Sequence, residues 1–171
     1  MKMGGFSSYL LKLKNKEMVK GASEMPKRLE QAKKILQAGG ERTLKVSELN
    51  QALRLLETGK QDDPRLFSDE SVYLWEELAF AYYEHHNLQK AEYCLREMAA
   101  LMPGSSEPFV NLGAFFISEG MVNHAIMAYK EGLGINPNDE YLYFNLASLY
   151  ASIGAYRKAD AMMNNAILNN P

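Results

Sequence analysis

The chain has 171 residues, enough for one domain with a substantial core, and its 47% apolar and 23% charged residues exclude a disordered or fibrous polypeptide. One cysteine, Cys94, leaves no internal disulfide to form, and no apolar run reaches the roughly 18 residues of a membrane helix; the expected setting is cytoplasmic. The net charge of −2 conceals an asymmetry: residues 1–64 carry 13 Lys and Arg against 8 Asp and Glu, and residues 65–171 carry 6 against 13. The acidic part argues against nucleic acid as a partner, and the basic part lacks the dense Arg, Lys and aromatic clustering such a partner needs. The two parts either serve different partners or attract each other weakly.

Residues 1–25 are expected to form an N-terminal tail or an amphipathic helix. Phe6, Leu10 and Leu13 fall on one helical face, with Lys12, Lys14, Lys16 and Lys20 around them. Such a face either anchors to a membrane surface or partner groove or packs on the neighbouring helices. It does not fit a secretion signal, because Lys12 and Lys14 interrupt the apolar residues and no small-residue cleavage site comes after them. The stretch Met3-Gly4-Gly5-Phe6-Ser7-Ser8 fits a myristoylation pattern only if translation starts at Met3.

Residues 26–64 read as a helical pair. Pro26 suits a first helical turn, where its missing N–H has no intrahelical partner anyway. Leu29, Ala32, Ile35 and Leu36 make an apolar stripe over Pro26–Ala38, and Gly39-Gly40 ends it. A second helix is predicted over Leu44–Thr58, with a stripe of Leu49, Ala52, Leu53 and Leu56 and a stop at Gly59. Asp62–Glu70 is polar and turn-rich, the expected joint between this pair and the C-terminal two-thirds of the chain. Ser68 or Ser71 is a candidate cap for the next helix.

Residues 72–171 are one pattern written three times at a period of 34. An aromatic recurs at Trp75, Phe109 and Tyr143, a leucine at Leu78, Leu112 and Leu146, and a small residue at Ala79, Gly113 and Ala147. A second aromatic recurs at Tyr82, Phe116 and Tyr150, an alanine at Ala91, Ala125 and Ala159, and a proline at Pro103, Pro137 and Pro171. A fixed period of this length marks a stacked repeat architecture. Each unit is predicted to give two antiparallel helices: Ser71–Glu84 and Leu88–Leu101, Glu107–Glu119 and Val122–Ile135, Asp139–Ile153 and Tyr156–Asn169. Gly120 and Gly154 supply the tight turns, where a positive φ is needed. In the first unit His86 stands in that place, and Asn87 is the expected left-handed residue. The small residues let paired helices approach closely, and the aromatics fill the space between pairs.

This pattern resembles the tetratricopeptide repeat family, over about 100 of the 171 residues. The resemblance implies an all-α fold: a right-handed superhelical stack of three units, 72–105, 106–139 and 140–171, preceded by the N-terminal helical segment. The pair at 26–64 echoes only the second half of a repeat. Ala52 and Pro64 are spaced as Ala91 and Pro103 are, while Gly39-Gly40 occupies the place of the leucine and small residue. It therefore reads as a degenerate repeat capping the stack.

In that family the first helices of successive repeats line a concave groove for an extended peptide or a helix. Carried onto this chain by register, the candidate groove residues are Tyr73, Glu76, Glu77, Phe80, Tyr83 and Glu84 from the first repeat. The second contributes Val110, Asn111 and Ile117, and the third Tyr141, Phe144, Asn145 and Ser148. Asn111 and Asn145 match across adjacent repeats, and an amide can grip a peptide backbone through both donor and acceptor. The aromatic and apolar members suggest a binding surface, unless the N-terminal helices fold back over part of it. No Lys or Arg occupies a groove position, so the family's clamp for a terminal carboxylate is missing and a basic or apolar ligand segment is favoured. That segment could also be the basic N-terminus of this chain or of a second copy.

No nucleophile constellation, phosphate-binding loop or metal-ligand spacing is present, so no enzyme activity and no cofactor are expected. Glu84-His85-His86 reads as polar residues at a helix–helix tip, His124 as a surface residue, and Cys94 as a small buried apolar side chain. The expected function is a protein–protein interaction scaffold that binds a partner's peptide or helix in the groove. One alternative is a cytoplasmic chaperone of the type III secretion class holding an apolar export substrate. Another is a regulatory or oligomerisation module of a larger complex. Met162, Met163, Ile167 and Leu168 form an apolar face on the last helix. Self-association through that repeat or through the N-terminal segment is therefore an expectation, and a truncated array is the other.

Overall fold

A computed structural model describes residues 27–40, 43–62 and 71–169. The expectations that fall on residues 1–26, Pro64, Ser68 and Pro171 lie outside them. All regular structure among the described residues is helical. An N-terminal pair, α1 (Lys27–Gln37) and α2 (Val46–Asp62), precedes three hairpins: α3 (Val72–Glu84) with α4 (Leu88–Leu101), α5 (Glu107–Ser118) with α6 (Val122–Ile135), and α7 (Glu140–Ser152) with α8 (Tyr156–Asn169). Each helix packs on its hairpin partner. The hairpins join in series through α2 on α3, α4 on α5 and α6 on α7, and α1 also touches α3.

The repeated positions behave as mechanical parts. Trp75, Leu78, Ala79, Tyr82 and Ala91 are fully buried, and Leu112, Phe116, Ala125, Leu146, Ala147, Tyr150 and Ala159 hold the same places in the next units. The small residue on the first helix of each hairpin sets the approach of the second. At Gly113 an added Cβ would lie 2.1 Å from the ring of Tyr129, itself buried on α6. At Gly132 it would lie 2.7 Å from Leu142 of the next repeat. One glycine therefore closes the second hairpin, and the other closes the step from that hairpin to the third.

The hairpin turns carry one correction. Gly120 and Gly154 have φ of 71° and 74°, as the turn requires, but in the first repeat the left-handed residue is His86, with φ 56°. Asn87 instead has φ −99° and caps α4, its side chain accepting from Lys90 N at 3.2 Å. The 34-residue register places His86 where the glycines stand, so the turn geometry falls on it, and histidine is among the residues that tolerate this region.

Two boundary signals also read differently in three dimensions. α2 does not stop at Gly59 but runs through it to Asp62, with Gly59 buried; packing on the array outweighs the ~1 kcal/mol that a mid-helix glycine costs. Ser71 makes no side-chain cap to α3, because it is buried at the hairpin junction. Ser106 makes no such cap to α5 either. Its hydroxyl donates to the Asp139 carboxylate, whose other oxygen accepts from Leu142 N at 3.1 Å. This chain of contacts ties the start of the second repeat to the start of the third.

Two stability measurements test these placements. Trp75 is fully buried, edge-on to Tyr93 at 6.2 Å. Trp75→Ala is expected to cost about 3–5 kcal/mol in denaturant unfolding. Trp75 Nε1 has no hydrogen-bond partner among the described residues, and Phe109 holds the same position one repeat on. Trp75→Phe should therefore cost far less, and equal losses for the two variants would contradict the packing role. Gly113→Ala should destabilise by about 1–3 kcal/mol through overpacking, although alanine is the better helix former by ~1 kcal/mol. A stabilised variant would show that Tyr129 does not lie against α5.

Candidate peptide-binding groove

The first helices α3, α5 and α7 present their outward faces side by side, and the structure divides the candidate groove residues into two sets. At the α3 end most are already engaged. Phe80 meets Phe115 of α5 edge-on at 5.1 Å, and Tyr83 stacks on the same ring at 4.2 Å with its hydroxyl bonded to Ser118. Tyr73 and Val110 are half-buried against the core, and Lys33 of α1 lies 5.7 Å from the centre of the Tyr73 ring. These aromatics are largely inter-repeat packing, not open surface, because the next helix or α1 lies over them. On α7 Tyr141 and Phe144 remain exposed, at 71% and 54%, as does Ser148, and Ile117 is exposed near the end of α5.

The two asparagines also part company. Asn111 Nδ2 donates to Glu76 Oε1 at 3.0 Å, across adjacent repeats. Asn145 has no such bond among the described residues. The residue in the Glu76 register one repeat on is Val110, which offers no acceptor. The matched pair is thus one amide held by an acid and one half-buried amide facing the open end of the groove.

Glu76 is the electrostatic anomaly of the groove. Burial, reinforced by the like charge of Glu107, pushes its carboxyl up to about 7, against the smaller opposing effect of the Asn111 hydrogen bond. Burial also raises Glu77, opposed by Lys33. Water and neighbouring cations only partly compensate these half-buried acids.

Glu77 and Glu84 further line a cleft of about 290 Å³ between the N-terminal pair and α3, together with Leu36, Leu44, Phe80 and His85. The His85 ring bonds the Leu44 carbonyl oxygen at 2.7 Å, fastening the segment before α2 to the tip of α3. Sequence reading missed this cleft and took His85 for an incidental tip residue. The only available signal was the echo of a repeat in residues 26–64, which would have placed α1 beside α3. His124 is exposed with its ring 5.3 Å from that of Phe116. Cys94 is buried and its thiol is pushed up by desolvation, so it is held away from thiolate chemistry. Among the described residues no group of His, Cys, Asp or Glu is placed to hold a metal, and no helix is long and apolar enough to cross a membrane.

No family model matches the chain. It is 26% identical to human tetratricopeptide repeat protein 7A over 94 residues, which are 55% of this chain and 11% of that one. The three 34-residue helical hairpins are thus similar in sequence to those of a tetratricopeptide repeat protein. The helical stack is similar to the crystal structure of MamA, with a TM-score of 0.56 and 20% identity over 82% of this chain and 77% of the other. It is also similar to BtubC from P. vanneervenii, with a TM-score of 0.52 and 19% identity over 72% of this chain and 57% of that one. At these identities the solved structures establish a shared fold, and the chain spans about a tenth of the human relative's length.

The raised acid gives a pH test of the repeat interface. A carboxyl whose pKa is higher in the folded than in the unfolded chain favours folding when protonated, so its contribution is lost as pH rises from about 4.5 to about 7. Glu76→Gln preserves an acceptor for Asn111 and removes the charge. The variant is expected to melt higher than the parent at pH 8 and to show a flatter melting profile between those two pH values. An unchanged profile would place the carboxylate in water.

Proposed function

We propose that the chain binds an extended or helical segment of a partner protein along the outward face of α3, α5 and α7, with the main contacts at the α7 end. The observation that carries this reading is the exposure of Tyr141 and Phe144 on α7 and of Ile117 on α5, with the half-buried amide of Asn145, unbonded among the described residues, following Phe144. Large apolar side chains exposed next to one another on a rigid face are characteristic of interaction sites. An adjacent amide offers both a donor and an acceptor to a backbone. The scarcity of cations on this face favours a basic or apolar segment over one with a free carboxylate. The buried reduced Cys94 fits a cytoplasmic setting.

The test is affinity capture with the tagged chain and three variants. Phe144→Asp and Asn145→Ala should each deplete the bound partners at least several-fold, while Asn111→Ala, whose amide is occupied by Glu76, should deplete them less. Retention of every partner by Phe144→Asp would move the site off this face.

A second association surface is favoured by a specific comparison. Leu95 and Tyr129 are 1% and 2% exposed, whereas Met163, in their register on α8, is 37% exposed and Ile167 is 61% exposed. This face supports self-association through the last repeat. Sedimentation velocity should show a dimer that Ile167→Glu dissociates, and a concentration-independent monomer would remove the reading.

A further inference from the structure

The cleft between α1 and α3 has a chemistry of its own. Its walls are the apolar side chains of Leu36, Leu44 and Phe80, and the carboxylates of Glu77 and Glu84 stand on α3 on either side of Phe80. Seven residues apart on a helix, the two acids are two turns, roughly 10 Å, from each other along one face. Glu77 is half-buried and Glu84 exposed. Neither makes an ion pair or hydrogen bond among the described residues. Lys33 on α1 acts on Glu77 only through space, and His85 is occupied by the Leu44 carbonyl oxygen. Lys33 offsets the half-burial of Glu77 only at a distance, and a cation arriving in the cleft would share that carboxylate directly. An apolar trough ending in carboxylates matches one kind of side chain: a long aliphatic stem carrying a positive charge. The volume of about 290 Å³ lies at the lower edge of the roughly 300–1,000 Å³ of small-molecule pockets, so a single side chain suits it better than a metabolite.

We propose that this cleft receives a lysine or arginine side chain of the partner's peptide, its stem against Phe80, Leu36 and Leu44 and its cation between Glu77 and Glu84. The inference rests on the peptide-groove function and adds a charge requirement at the α1 end of the same ligand. Lysine and arginine differ in geometry but share the stem and the charge, and the trough selects both against neutral side chains of equal length.

The experiment uses fluorescent, end-blocked ten-residue peptides with leucines near one end and, near the other, two lysines, two arginines, two norleucines or two glutamates. Binding to the full chain is measured by fluorescence anisotropy. The lysine and arginine peptides are expected to bind at least tenfold tighter than the norleucine peptide, and the glutamate peptide not measurably. Glu77→Gln plus Glu84→Gln should remove that tenfold difference and its salt dependence, with folding checked by circular dichroism. Norleucine binding as tight as lysine, an unaltered lysine preference in the double variant, or no binding by any cationic peptide overturns the proposal. Loss of all binding in Phe144→Asp with the lysine preference absent throughout leaves the groove standing and removes the cleft. A lysine preference that survives Phe144→Asp does the reverse.

Discussion

Every unit of this chain depends on its neighbour to cover one face. A hairpin of two helices buries its inner stripe on itself but leaves the outer side of its second helix open, and only the next first helix closes it. Leu95 on α4 and Tyr129 on α6 are buried, while Met163 and Ile167 on α8 are not. The difference is one of position in the stack, since the three residues at 95, 129 and 163 share one register. The small residues serve the same constraint. Tyr129 fits because Gly113 has no Cβ, and Leu142 reaches α6 because Gly132 has none. The surface ion pairs add little to this. Arg96 holds Glu92 and Glu131 at 2.9 and 3.0 Å on an exposed face, where such pairs are worth about 0–1 kcal/mol each.

Once backbone spacing is fixed by the buried rows, the outward rows of α3, α5 and α7 are free to vary, and they vary in a graded way. The row of Glu76, Val110 and Phe144 goes from acid to aliphatic to aromatic. The residue after each, Glu77, Asn111 and Asn145, goes from acid to amides. The consequence is a groove with two ends. Near α1 it carries the carboxylates of Glu76, Glu77 and Glu84, and near α7 it carries Tyr141, Phe144, Asn145 and Ser148. Glu76 sits at the crossover, bonded by Asn111 and crowded by Glu107. Such a group is expected to be unfavourable for stability, and uncompensated acids of this kind cluster at sites that meet a ligand.

The period of 34 carried most of the fold. It placed Trp75, Leu78, Tyr82 and the equivalents of the last two in the core because each recurs where a packing contact recurs, while Phe109 and Tyr143, in the register of Trp75, are only half-buried. It also located the turns, and even the departure at His86 is a consequence of it. Periodicity could not reach anything between units. The bond of Asn111 to Glu76 joins residues 35 apart, and the stacking of Tyr83 on Phe115 joins one repeat to the next. Taking outward positions row by row therefore counted Phe80 and Tyr83 as open surface when the neighbouring helix covers much of them. The N-terminal pair was the least legible part. Gly59 looked like a stop, because a helix end is recognised from local chemistry while the burial that overrides it is tertiary. The cleft over Phe80 is formed between that pair and α3 and carries no local motif.

The same geometry constrains what can lie in the groove. Packed helices are about 8–10 Å apart, and the ring contacts of Phe80 and Tyr83 with Phe115 join α3 to α5. Two such steps separate the cleft beside α3 from the exposed Tyr141 and Phe144 on α7, a span of roughly 20 Å. An extended chain advances about 3.3 Å per residue, so six or so residues lie between a side chain in the cleft and one on Phe144. A helical ligand, rising about 1.5 Å per residue, would need about 13. A peptide that places a basic residue six before or after its apolar anchor would satisfy both proposed contacts in extended form. One with the two in adjacent positions can satisfy only one, whatever its overall charge. The spacing of charge and hydrophobe, more than their amounts, is then the property by which this stack would tell one segment from another.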